Sequence, residues 1–268
     1  MPTRGPSYIG ASTPATSDTL GALAGVLAGV VWLVLTPFMA TTWNCDGVCT
    51  EWGGQPLVVR TVGRWLAGLG AFSPPVTSDP YFDYGRFFPL FYLLAIVTLR
   101  AFHRAQARRA SALRPLARWS FRAALAALVV GGLGDLAGYV VGRSVTAVWS
   151  AGWAVEALSW LLAVPALITY GAATLRQAAM PRWTGWALVV AGAGLVVFSF
   201  DFWLVAYMPN SPLLPLAATC SALGGHLAAC RAGGTAPVGG GRSVGAAASE
   251  GGAAEPAGPG AAQPGGTY

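Results

Sequence analysis

Lysine is absent from this chain of 268 residues, and charge of either sign is scarce: Asp, Glu, Lys and Arg make up 10%. A soluble domain carries about 25%. Without lysine there is no Gly-rich loop ending in Lys-Ser/Thr that could cradle phosphates. With two histidines in the whole chain, no paired-histidine zinc motif can be drawn. Only four cysteines occur, and none forms a pair spaced by two residues, the spacing that favours zinc or redox chemistry. No inverted repeat of apolar spans or paired half-helices, as in many secondary transporters, is evident. Metal and cofactor chemistry are accordingly not expected.

What the chain has in quantity is apolar sequence, 54% hydrophobic, gathered in long blocks rather than periodic stripes. This pattern indicates an all-α integral membrane bundle. Six spans are expected, at about 19–38, 87–102, 121–142, 151–172, 184–207 and 213–230. A span of about twenty residues crosses a hydrocarbon core of ~30 Å at ~1.5 Å per residue. The first block is longer than a signal-peptide core of about 7–15 residues, which favours a retained helix. Pro209, Asn210 and Pro212 mark a tight turn before the last span. Residues 1–18 form a polar lead and 231–268 a Gly/Ala-rich tail. Both are expected to be disordered, because neither can bury enough apolar area to offset the entropy of ordering. One long loop, 41–85, separates the first two spans, leaving 19–230 as the membrane domain.

All sixteen basic residues are arginines. They cluster at the ends of apolar blocks, which points to orientation in a bilayer rather than nucleic-acid binding. With six spans, twelve arginines fall on the side of the two termini (4, 100, 104, 108, 109, 114, 118, 122, 176, 182, 231 and 242) and four on the other (60, 64, 86 and 143). Positive residues stay cytoplasmic, so both termini are expected inside a cell membrane and the 41–85 loop outside. The abundance of Ala, Gly, Arg and Pro without Lys suggests a GC-rich bacterial genome.

That loop contains TTWNCDGVCTEW, with Cys45 and Cys49 four residues apart. Outside a bacterial cytoplasm thiols meet oxidising conditions, and a small structural disulfide bent at Gly47 is the simplest reading. A redox couple, a metal site with Asp46, and unpaired thiols are the alternatives. The segment PLVVRTVGRWLAGLG, 56–70, places valines, Trp65, Leu66 and Leu69 on one face, as in a helix lying on the membrane surface or a lid over the bundle. Tyr81, Phe82, Tyr84, Phe87 and Phe88 read as an interfacial aromatic belt.

Ionisable residues within spans are costly and mark candidate sites. Helix rise places Asp135, Glu156 and Asp201, on three consecutive spans, in the outer third of the bundle. Arg86 and Arg143, at the outer ends of spans two and three, are the expected counter-charges. Such acids either pin helices together or form a polar pocket for a cation, a proton or a polar ligand. His226, near the inner end of span six, and Cys220 and Cys230 read as packing residues. Glycines at four-residue spacing, Gly21, Gly25 and Gly29 and then Gly134, Gly138 and Gly142, allow close helix approach, within the chain or in a homo- or hetero-oligomer.

The stretches YFDYGRFFPLFYLLA and MPRWTGWALVVAGAGLVV, above all Pro181-Arg-Trp-Thr-Gly-Trp186, resemble segments of uncharacterised actinobacterial multi-pass membrane proteins of the domain-of-unknown-function type. The resemblance covers about a fifth of the chain. It implies an all-helical integral membrane protein and carries no catalytic residues. The leading functional reading is therefore non-enzymatic: an accessory, sensor or small-solute permeation protein with an acidic cluster in its outer half. The alternative is a membrane thiol oxidoreductase using Cys45 and Cys49.

Overall fold

The computed structural model describes residues 15–40, 80–110, 114–205 and 210–234, with scattered residues between 61 and 69. Among them every element is helical: α1 (Ala15–Ala40), α2 (Pro80–Gly85), α3 (Pro89–Arg109), α4 (Pro115–Leu136), α5 (Thr146–Gln177), α6 (Arg182–Val205) and α7 (Leu214–Gly234). A π-turn, Ala137–Val141, prolongs α4, and a 3₁₀ turn, Ser211–Leu213, leads into α7. Among the described residues six helices are long and apolar enough to cross a membrane.

Helix boundaries follow local chemistry. Pro89 and Pro115 stand in the first turns of α3 and α4, where a missing N–H costs nothing. The helix of the second span runs past the expected end at 102 to Arg109. The basic run after Phe102 is rich in the helix formers Ala, Gln and Arg, and Ala105 and Gln106 continue its buried face. Likewise α5 begins at Thr146, ahead of the expected 151, and α7 extends to Gly234, into the region read as tail. The expected turn at Asn210 is present, with that residue left-handed at φ 62°, a conformation asparagine tolerates well. Its carbonyl accepts a 3.0 Å hydrogen bond from the Trp32 indole of α1.

The sequence neighbours pack in order: α1 on α3, α3 on α4, α4 on α5, α5 on α6 and α6 on α7. The extensive α1–α7 contact then closes the ring. Small residues face inward. On α4 the buried positions are Ala117, Ser120, Ala124, Ala127, Leu128, Gly131, Gly134 and Asp135, the stripe expected of a 3.6-residue period. Large aliphatic side chains point outward; Leu93, Leu133, Leu161, Val190 and Val197 are each more than half exposed. This inversion suits hydrocarbon, where close backbone packing rather than water exclusion holds helices together.

Both glycine rows are used inside the chain. A Cβ at Gly224 of α7 would lie 2.7 Å from the Ala22 carbonyl oxygen of α1 and 3.0 Å from Gly25 Cα. A Cβ at Gly134 of α4 would lie 2.7 Å from the Gly152 carbonyl oxygen of α5. Cys45 and Cys49 lie outside the described residues. Of the 56–70 segment, Thr61, Arg64, Trp65, Gly68 and Leu69 are described; Trp65 and Leu69 are exposed, joined by a helical hydrogen bond from the Leu69 N–H to the Trp65 carbonyl.

Candidate functional site

The close passage of Gly134 against Gly152 brings the backbones of α4 and α5 together and sets Asp135 and Glu156 side by side, both buried. Glu156 is well supplied with partners. The Tyr92 hydroxyl, from α3, donates to Glu156 Oε1 at 2.8 Å, and the Trp160 indole N–H donates in turn to that hydroxyl at 2.9 Å. Ser159 Oγ donates to the Glu156 backbone carbonyl at 2.6 Å. Asp135 differs. Among the described residues neither of its carboxyl oxygens has a hydrogen-bond donor. The Glu156 carboxyl shares its cavity.

The two acids line a cavity of about 10 Å³ together with Tyr81, Tyr139, Trp149 and Trp153. A cavity of that size is at the lower limit for one water molecule. The π-turn shapes it. Gly142 N–H reaches back five residues to the Ala137 carbonyl at 2.9 Å, and the wider turn carries buried Gly138 and Tyr139 beside the acids. Such π-bulges are frequent at functional sites. The short helix α2 covers the turn: Tyr81 lies 5.2 Å and Phe82 6.4 Å from the Tyr139 ring, centroid to centroid. At the rim Arg143 forms an ion pair of 2.5 Å with Asp83 of α2.

Of the five residues read from the sequence as one polar cluster, four have described side chains. Asp135 and Glu156 share the cavity. Arg143 is committed to Asp83. Arg86 is exposed, with its guanidinium 5.0 Å from the centre of the Phe87 ring. Asp201 sits in α6, and its side chain lies outside the described residues. Among the described residues the ion pairs are Arg108–Asp18 and Arg143–Asp83; neither includes the buried acids. No three His, Cys, Asp or Glu side chains converge on a metal-sized site among the described residues.

The aromatic partners were missed by sequence reading, which assigned Tyr81 to an interfacial belt and gave Tyr92 no role. A signal was available. Tyr139 follows Asp135 by four residues and Trp160 follows Glu156 by four, so each acid has a polar-tipped aromatic on its own helix face.

A second polar network crosses the same three helices farther along. Gln106 Nε2 donates to Thr174 Oγ1 at 3.2 Å and to Gln177 Oε1 at 3.0 Å, while the Tyr170 hydroxyl donates to Gln106 Oε1 at 3.1 Å. His103 Nδ1 lies 3.1 Å from the Tyr170 hydroxyl, and the imidazole stacks on Phe121 with centroids 3.8 Å apart. Trp160 and Tyr170 are ten residues apart on α5, about 15 Å of helix. Ala95, Leu99, Leu128, Ala163 and Leu167 are buried in the intervening core. His226 packs edge-on against Trp183 at 5.4 Å and has Cys230 Sγ 3.5 Å from Nε2; Cys220 is fully buried.

The fold and the lipid-suited surface define the class as a multi-pass helical membrane protein. Compared with protein-family models, curated proteins and solved structures, the chain finds no match.

Proposed function

We propose that this chain is a non-enzymatic membrane protein, a sensor or small-solute permeation protein, whose Asp135–Glu156 pair takes up a proton near the outer membrane face. The arginine asymmetry supports the orientation: termini in the cytoplasm, the 41–85 loop and the acid chamber toward the outside.

The observation that carries the reading is that Asp135 has no hydrogen-bond donor among the described residues. Two ionised carboxylates side by side in a buried interior place like charges in a medium that solvates them poorly. One proton placed between them changes this: one carboxyl becomes a donor, the other an acceptor. Tyr92 and Trp160 hold Glu156 in position for that exchange. The cavity is too small for a hydrated ion.

Infrared difference spectroscopy on the full chain in lipid nanodiscs tests the proposal. A protonated-carboxyl band that titrates with pH, is lost in Asp135→Asn and is indifferent to sodium or potassium is the expected result. A band unchanged by pH or by the substitution would refute it. Displacement of the band by an alkali cation at fixed pH would make the occupant a metal ion instead.

A further inference from the structure

A separate feature lies on the lipid-facing seam between α1 and α7. The Gly25–Gly224 contact presses these helices together. Toward the end of the seam the short side chains of Ala22 and Ala228, with Leu23 and Val26, leave a groove of about 640 Å³. Its walls are apolar and open outward; Leu23 and Val26 are 55% and 46% exposed. The groove ends at Thr19 and Arg231.

Arg231 is the informative residue. It is exposed in the last turn of α7, and its guanidinium donates to the Thr19 hydroxyl. Among the described residues it enters no ion pair, whereas Arg108 at the same end of the bundle is matched by Asp18. A planar cation with no ion-pair partner among the described residues thus stands at the head of an apolar trough. From Thr19 to Val26 the trough follows about 10 Å of helix. Basic sites between transmembrane helices recognise anionic head groups, and a guanidinium suits phosphate geometry through paired N–H donors.

We infer that the α1–α7 groove binds one anionic phospholipid, its phosphate on Arg231 and Thr19 and an acyl chain along Ala22, Val26 and Ala228. The charge decides among amphiphiles. A zwitterionic lipid fills the trough equally well but carries its own cation to the arginine. Inorganic phosphate satisfies the arginine and leaves the trough unused.

The test uses the full chain in phosphatidylcholine nanodiscs with and without phosphatidylglycerol, reading helix loss on heating and co-retained lipid by native mass spectrometry. Phosphatidylglycerol is expected to raise the melting midpoint of the wild type and to be retained in preference to phosphatidylcholine. Arg231→Gln should abolish both effects. Ala228→Trp, which fills the trough and leaves the arginine, should abolish them too. Arg176→Gln, in the last turn of α5 at the same end of the bundle, should keep them. A response in Arg231→Gln or Ala228→Trp equal to wild type overturns the assignment. So does an equal rise produced by inorganic phosphate in pure phosphatidylcholine. If either variant fails to fold, the wild-type retention decides: no preference for phosphatidylglycerol refutes the site.

Discussion

Tyr92 of α3 donates a hydrogen bond of 2.8 Å from its hydroxyl to the Glu156 carboxyl of α5, within the buried core. This one bond joins non-adjacent spans and orients the acid. Tyr92→Phe removes it, and with it the hydroxyl that accepts from the Trp160 indole N–H. The expected destabilisation is about 1–3 kcal/mol, the cost of buried polar groups left unsatisfied. Reversible unfolding in mixed micelles measures it; an unchanged midpoint would mean that water replaces the hydroxyl.

Close helix approach makes a sharper prediction. A methyl at Gly134 would sit 2.7 Å from the Gly152 carbonyl and 2.9 Å from the Glu156 amide nitrogen. Gly134→Ala should force α4 and α5 apart, cost about 1–3 kcal/mol and weaken the carboxyl band. Gly225 has no neighbour within 4 Å of a would-be Cβ. Gly225→Ala should be neutral or stabilising by about 0.5–1 kcal/mol, because alanine favours helix. Equal effects of the two substitutions would contradict the packing.

The Arg143–Asp83 pair is exposed, with side chains 45% and 21% accessible, so its removal should shift global stability by no more than about 1 kcal/mol. Its effect should be local. In Asp83→Asn, amide hydrogen exchange at residues 80–85 is expected to quicken while the centre of α3 stays protected. Unchanged exchange there would show that aromatic packing on Tyr139 alone holds α2 in place.

Orientation rests on twelve arginines against four. Reporter fusions after Arg109 and after Arg182 should read as cytoplasmic, and one near Pro74 as external. An external signal at Arg109 would invert the proposed placement of the acid chamber and of Cys45 and Cys49.

The six apolar spans were legible from length and composition, because a bilayer admits few alternatives to a helix of this size. The proximity of Asp135 and Glu156 was legible too. They lie at similar depth on consecutive helices joined by a short link, which makes those helices antiparallel neighbours. The arginine partners were not. Asp83 sits in a turn-rich stretch before α3, and no periodic signal announces that Arg143 meets it. The π-turn after Leu136 leaves no trace in the letters, since it arises from how α4 packs at its end. The glycine rows were read correctly as places of close approach. Their partners, Ala22 and Gly224 in one case and Gly152 in the other, follow from tertiary pairing, which spacing within one helix does not encode.

The closed ring has a consequence for biogenesis. During synthesis each span after the first two finds its neighbour as soon as it emerges, but the α1–α7 seam joins the beginning of the membrane domain to its end. The Gly25 face of α1 must therefore wait in the bilayer for 199 residues, the interval from Gly25 to Gly224. In water such an unpaired face would invite aggregation. In lipid, which solvates a small apolar surface as readily as protein does, the delay costs little, so the first helix can be held open until the last one arrives.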